Sequence, residues 1–192
     1  MKILFACEKS GRVREAFARK GHDAWSCDIL DSDIPGQHIK GYLEDVIGSG
    51  EEWDMIIAFP PCTHLAVSGA RYFAQKQEEQ GYAIGFFMMI ANRKCPKIGI
   101  ENPVGIMSTH WRKPDQIIQP WMFGHPESKK TCLWLKGLPL LKPTNVLELP
   151  ERGYWDNQTR SGQNKLGPSP DRAMLRGITY QGIADAMAAQ WG

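Results

Sequence analysis

The sequence predicts an α/β fold, with a mostly parallel sheet flanked by helices. Three observations carry that expectation. Short apolar runs alternate with stretches of helical period, the pattern of successive strand–helix units. The runs at 2–7 and 53–59 have the length and composition of buried strands. Polar and turn-forming residues come after the runs: Glu8 to Gly11, Asp28, Asp45, Pro60 to Cys62, and Glu101 with Asn102. In sheets of this kind ligands bind at the carboxyl ends of strands, so that placement is the first functional hint.

Each element has its own signal. Residues 2–7 (Lys-Ile-Leu-Phe-Ala-Cys) form the first strand, and a polar, glycine-containing turn ends it. Residues 13–20 form a helix with Val13, Ala16, Phe17 and Lys20 on one face, and Gly21 stops it. Residues 24–27 are a short apolar strand ending at Asp28. Residues 53–59 form the next strand, terminated by Pro60-Pro61, whose fixed φ angles position the residue after them. A long helix is expected over 77–93, then a strand at 98–100 leading into Glu101-Asn102-Pro103. Another strand covers 131–135, and an Ala/Met-rich helix closes the chain over 180–191. Between them, residues 137–171 are rich in Pro, Gly, Asn and Arg without periodicity, which predicts a long, mostly irregular segment.

At 192 residues the chain fits one domain, 1–192, in which 138–172 is the irregular part. No run of ~18 apolar residues occurs, so no membrane span is expected, and the polar turn after Phe5 argues for a strand rather than a signal peptide. The 5 cysteines are scattered singly, without a Cys-x-x-Cys pair, so no metal site is expected. That usage suits a reducing, cytoplasmic compartment. A net charge of +2 does not by itself mark a nucleic-acid binder; a binding face must come from local clustering.

The most informative stretch runs Phe59-Pro60-Pro61-Cys62-Thr63-His64-Leu65-Ala66-Val67-Ser68-Gly69. A cysteine just past a strand, preceded by two prolines, is a positioned thiol, whereas a lone cysteine is more often a buried structural one. A second strand ends in Glu101-Asn102-Pro103, and a thiol with a carboxylic acid at neighbouring strand ends makes a candidate nucleophile–acid pair.

Pro61-Cys62 followed by Ser68-Gly69, then Glu101-Asn102, resembles the DNA (cytosine-5)-methyltransferases, and more narrowly their compact phage and prophage members. The resemblance implies a Rossmann-like, S-adenosylmethionine-dependent methyltransferase fold, and methyl transfer to C5 of cytosine through a covalent Cys62 adduct at C6. It implies Cys62 as nucleophile, Glu101 as its partner acid, and Asn102 as a brace for the cysteine loop. It places Phe5, Ser10 and Gly11 in a cofactor loop, Asp28 at the ribose with Ile29 beside it among the cofactor-binding residues, and Asp45 at the adenine amine. Pro60, Tyr180 and Gly182 line the same S-adenosylmethionine pocket. Pro61, Ser68, Lys129, Thr131 and Arg160 fall on the substrate side.

The departures are as informative. The cofactor loop Ala6-Cys7-Glu8-Lys9-Ser10-Gly11 is longer and poorer in glycine than the family's, and puts Glu8 and Lys9 near the methionine end. Glu127, Lys129 and Thr131 stand where the family has Gln-x-Arg-x-Arg; a lysine gives no bidentate fork, and Thr131 removes a charge. No sizeable recognition domain fits between the last two motifs, where only 138–172 is available. Arg152, Arg160, Lys165, Arg172 and Arg176, with Tyr154 and Trp155 among them, offer phosphate contacts and stacking of low sequence specificity, although Glu151, Asp156 and Asp171 make a solvated mixed-charge loop a close competitor. The expected partner is therefore DNA. A free pyrimidine nucleotide or RNA is the alternative substrate, and a catalytically degenerate nucleic-acid- or partner-binding protein the second alternative. A partner protein or homo-oligomer is compatible with either.

Overall fold

The computed structural model describes residues 1–66, 76–167, 169 and 172–192. Its seven strands are β1 (Lys2–Ala6), β2 (Asp23–Asp28), β3 (His38–Lys40), β4 (Met55–Ala58), β5 (Lys97–Pro103), β6 (Gln116–Ile118) and β7 (Thr131–Lys136). They form one sheet in the order β3-β2-β1-β4-β5-β7-β6. All neighbours from β3 through β5 are parallel; β7 pairs antiparallel with both β5 and β6. The strand order reverses between β1 and β4, the switch point at which such sheets open a crevice at their carboxyl edge.

The helices are α1 (Arg12–Ala18), α2 (Leu43–Gly48), α3 (Gln77–Ala91), α4 (Met107–His110), α5 (Arg172–Gly177) and α6 (Gln181–Trp191). Because successive strand residues point to opposite faces, β1 divides its side chains between two cores. Ile3 and Phe5 pack with Phe17, Met187 and Trp191 beneath α1 and α6. Leu4 and Ala6 pack with Val46, Phe87 and Ile90 beneath α2 and α3. Both faces of the central strands are therefore covered, which is why β1 and β4 read as apolar runs.

The predicted strands and long helices are present, with three informative differences. The fourth predicted strand is longer than expected. Glu101, Asn102 and Pro103 lie inside β5, paired with Leu133, Cys132 and Thr131 of β7, because the antiparallel partner continues the ladder past the end of β4. The sequence does not predict β3, β6, α2, α4 or α5, all six residues or fewer. Finally, 138–172 is irregular but not featureless. An isolated antiparallel bridge joins Gln158 to Asn164, and Trp155 is buried with its ring stacked on Trp121, centroids 5.9 Å apart and planes within 2°. Among the described residues, no helix is long and apolar enough to cross a membrane.

Candidate active site

The carboxyl ends of β4 and β5 bring the predicted thiol and acid to one edge. β4 ends at Ala58, and the chain passes through buried Pro60 to exposed Pro61 and Cys62. The Cys62 carbonyl accepts the Leu65 N–H at 3.0 Å and the Ala66 N–H at 2.9 Å, closing a turn on the cysteine's own backbone. From the β5 side, the buried Asn102 amide donates through Nδ2 to the Pro60 carbonyl at 2.8 Å. Ile106 N–H donates to the Leu65 carbonyl at 2.9 Å. The cysteine loop is thus tied at both ends to the extension of β5. Only a glycine allows the second tie: a Cβ on Gly105 would sit 2.2 Å from the Leu65 carbonyl oxygen. Asn102 Oδ1 is buried with no partner among the described residues, which leaves one acceptor spare beside the loop.

Glu101 points to the other side of β5 from Asn102, since strand neighbours alternate. Its Oε1 lies 3.9 Å from Lys129 Nζ, with both side chains more than four-fifths covered. Lys129 is itself held by its backbone N–H, which donates to Gln119 Oε1 at 2.9 Å. Although Cys62 as a residue is exposed, its sulfur is crowded enough for loss of solvent to push the thiol above its ordinary range. The Glu101 charge pushes it the same way, while Lys129 and Arg176 pull it down. In the sequence Arg176, on α5, is only one of a basic run; the fold brings its charge within range of the Cys62 thiol. Nothing local marks it, because the chain between β7 and α5 carries no period from which its direction could be inferred.

The ends of β1, β2 and β3 form a second cluster alongside. The loop after β1 holds Cys7 at φ 57, a left-handed conformation uncommon outside glycine, and Gly11 at φ 68. Glu8 is buried beneath this loop. Its Oε1 accepts from Ser10 Oγ at 2.8 Å and from the Val13 N–H at 3.1 Å, so the start of α1 is capped from within the loop. Its Oε2 is buried with no partner among the described residues, and burial raises the carboxyl's pKa. Arg14, fully buried, donates to Ser26 Oγ, Ser32 Oγ and the Ile34 and Pro35 carbonyls, which fixes the loop after β2. At the start of that loop, Asp28 Oδ1 accepts the Leu30 N–H at 3.0 Å, and Ile29 and Leu30 stand 60% and 50% exposed. Two large apolar side chains in water beside an acidic strand end are an unusual use of leucine and isoleucine.

Several predicted residues lie elsewhere. Phe5 has no exposed surface and packs on Phe17 at 5.1 Å between ring centroids; it is core, and only the loop after it reaches the edge. Asp45 lines a cavity of about 430 Å³ with Lys2, Trp25, Glu51 and Trp53, towards the amino ends of β1 and β4. Its neighbour Glu44 takes the carboxyl edge instead, where its charge helps push up the Cys7 and Cys27 thiols and its Oε1 accepts from Tyr82 at 2.9 Å. Thr131 is buried and donates to the Lys129 carbonyl, so it supports Lys129 rather than facing a ligand. Gly182 is a packing glycine: its N–H donates to His125 Nε2 at 2.9 Å, and a Cβ would meet the Phe123 carbonyl oxygen at 2.0 Å. Tyr180, half-buried, donates to Glu127 Oε2 at 2.5 Å, so α6 is joined to the 123–127 segment by both residues. Ser68 falls outside the described residues. Arg160 is exposed, on the loop closed by the Gln158–Asn164 bridge, and shares no hydrogen bond with the site among the described residues.

No protein-family model matches the sequence, and no curated protein matches it. Among solved structures, the chain is similar to a prophage-encoded protein of E. coli provisionally named a DNA modification methyltransferase. The TM-score is 0.51 with 14% identity, over 76% of this chain and 51% of that one. The chain spans about half the length of that structure. At this identity the likeness concerns the fold alone, a Rossmann-like, mostly parallel α/β sheet flanked by helices.

Proposed function

We propose that this protein transfers a methyl group from S-adenosylmethionine to C5 of cytosine in DNA, through a covalent bond between Cys62 and C6 of the base. The observation that carries the reading is the pairing of the Cys62 loop with the end of β5, which sets a thiol, a carboxyl group and a lysine at one carboxyl edge of the sheet. The prophage protein with the same fold, provisionally named a DNA modification methyltransferase, supports the reaction class.

The residues at the β1–β3 ends fit the cofactor. Asp28 presents a carboxylate suited to the ribose hydroxyls, exposed Ile29 an apolar face for a purine, and Glu44 an acceptor for its amine. The unpartnered Oε2 of Glu8 suits the α-ammonium of the methionine end. Bound there, the cofactor supplies an electrophilic methyl group.

The chain's own residues then divide the work. C5 of cytosine is a weak nucleophile until C6 is attacked, so the Cys62 thiolate adds to C6 and the ring becomes an enamine. Glu101 holds a proton at N3 and so accepts the charge that the addition pushes into the ring. Lys129 and Arg176 lower the cost of the thiolate, opposing the desolvation and the Glu101 charge that favour the thiol. After transfer, a base removes the C5 proton and the Cys62–C6 bond breaks. Asn102 and Gly105 act by fixing the loop rather than by touching the base. The target base must leave the DNA stack to reach Cys62, at a cost of a few kcal/mol.

The test is covalent trapping on DNA containing 5-fluorocytosine, read by intact mass. Fluorine cannot leave as a proton, so the wild type is expected to stall as a thioether adduct and Cys62→Ala to form none. An adduct with 5-fluoro-2′-deoxycytidine monophosphate but not with DNA would move the substrate to the free nucleotide. No adduct with either, in protein that binds S-adenosylhomocysteine, would overturn the reaction.

A further inference from the structure

The segment after β7 contains one piece that is rigid at its base and unpartnered at its tip. Lys165 N–H donates to the Asn157 carbonyl at 2.8 Å, Gln158 bridges Asn164, and Thr159 N–H donates to the Gln163 carbonyl at 2.7 Å. Residues 157–165 are therefore a short hairpin. Its tip, Thr159-Arg160-Ser161-Gly162, is tightened by Gly162 N–H on the Thr159 carbonyl and by Gln163 N–H on Thr159 Oγ1. Gly162 turns the chain at φ 80.

The base is built into the body of the protein. Asn157 makes a reciprocal pair with Ser128: Ser128 N–H donates to Asn157 Oδ1 at 3.0 Å, and Asn157 Nδ2 donates to the Ser128 carbonyl at 2.9 Å. Asp156 N–H donates to the Pro126 carbonyl at 2.9 Å, and the preceding Trp155 is buried on Trp121. Ser128 immediately precedes Lys129, the partner of Glu101. The hairpin therefore springs from the residue next to the catalytic edge.

The cations of this region are not equivalent. Arg152 pairs with Asp156 and lies over the Tyr154 ring. Lys165 donates to the Asp156 carbonyl at 2.9 Å and covers the same ring. Both hold the hairpin's flank, and Trp155 is buried in stacking, so all three already have partners within the protein. Within the hairpin and its flank Arg160 differs: it is exposed, with no hydrogen bond or ion pair among the described residues, flanked by exposed Ser161 and Gln163.

We propose that the hairpin 157–165 is the part of this chain that reads duplex DNA, with Arg160 at its tip hydrogen-bonding a guanine edge in the major groove. The proposal rests on DNA being the substrate of the Cys62 site. A two-stranded ribbon fits the roughly 12 Å groove, and an arginine fork on guanine O6 and N7 is the commonest base-specific contact. Three residues of strand reach about 10 Å from the base, the rise of about three base pairs, which puts the position read within a few pairs of the target cytosine. Fixed at its base, the hairpin presents its tip on an already ordered backbone, so binding has chiefly the Arg160 side chain left to order.

The test does not depend on methyl transfer. A random-sequence duplex pool is bound to the full-length protein, the bound fraction is sequenced, and affinity is followed by anisotropy on duplex and on single strand. The wild type is expected to enrich guanine at one position within a few pairs of a cytosine. Arg160→Ala should lose that enrichment, by roughly 5- to 150-fold at that position, while its melting temperature and single-strand affinity stay near wild type. Arg160→Lys should regain duplex affinity but not guanine selection. A wild type that binds no duplex or enriches nothing, or an Arg160→Ala profile equal to wild type, overturns the proposal. Loss of enrichment in Arg160→Ala with no trapped cytosine in any DNA would keep the hairpin's role and fail the methyl-transfer reading alone.

Discussion

At the scale of single residues, the charge around one sulfur decides the chemistry. Cys62 is lifted above the ordinary thiol range by desolvation first and by Glu101 second, with Lys129 and Arg176 opposing them. The signs give a direct prediction for alkylation by iodoacetamide, monitored peptide by peptide across neutral and alkaline pH. Only the thiolate reacts, so the Cys62 rate should still be rising beyond the pH at which a free thiol is half-ionised. Glu101→Gln removes a negative neighbour and should move the midpoint down; Lys129→Gln and Arg176→Gln each remove a positive one and should move it up. A midpoint indifferent to all three would mean that these groups share no field with the thiol. Cys27 and Cys132, pushed up to about 11 by burial, should label later than Cys62 throughout. The Cys62–Glu101 pair is legible in the sequence because proline, cysteine and glutamate at strand ends carry their chemistry in their identity. Asp45 is not, because consecutive helix residues differ in direction by about 100° and a six-residue helix is too short to reveal its phase. Its neighbour Glu44 faces the edge instead.

At the scale of elements, the Cys62 loop is held by β5 rather than by its own strand. β4 stops at Ala58, and everything from Pro60 to Ala66 depends on the Asn102 amide and on the close approach of Gly105 to Leu65. Gly105→Ala should therefore act on catalysis far more than its exposure suggests. A Cβ 2.2 Å from a carbonyl oxygen forces the two segments apart. A displacement of about 1 Å at a reacting group is enough to cost roughly 100-fold in rate. The expected outcome is a fall of about that size in the trapping rate, with S-adenosylhomocysteine affinity within about twofold of wild type, since the cluster proposed to hold the cofactor lies at the ends of β1, β2 and β3. A parallel loss of cofactor affinity would show that the two halves of the edge are one mechanical unit. This dependence is only half visible in the sequence. The family resemblance implies Asn102 as a brace for the loop, but Gly105 gives no local signal, because its constraint comes from a residue 40 positions earlier (105 − 65 = 40). The hairpin at 157–165 is hidden for the same reason: Asn157 finds Ser128 across the fold, and a polar stretch without periodicity does not announce such a partner.

At the scale of the whole molecule, the sheet presents a residue cluster at one edge and a cavity towards the other, and the strand direction distinguishes them. The carboxyl edge gathers Glu8, Asp28, Ile29 and Glu44; the cavity of about 430 Å³ near Lys2, Trp25 and Trp53 lies towards the amino ends of β1 and β4. The amino-end cavity has an apolar lining, yet its charged rim is already satisfied in part: Lys2 pairs with Glu51 and lies over the Trp53 ring. The carboxyl edge has the opposite character, with an unpartnered carboxylate oxygen among the described residues and two apolar side chains left in water. Unsatisfied groups at an edge where the strand order reverses are what a ligand completes. Hydrogen exchange with and without S-adenosylhomocysteine separates the two sites. The amides of residues 7–11, 28–31 and 41–44 should exchange more slowly in the complex, while residues 49–53 at the amino-end cavity should not change. Central strands β1 and β4 should be slow in both states, since their ladders are buried on two faces. Protection confined to 49–53 would place the ligand at the wrong end of the sheet and remove the cofactor from reach of Cys62, and with it the reaction assigned to this edge.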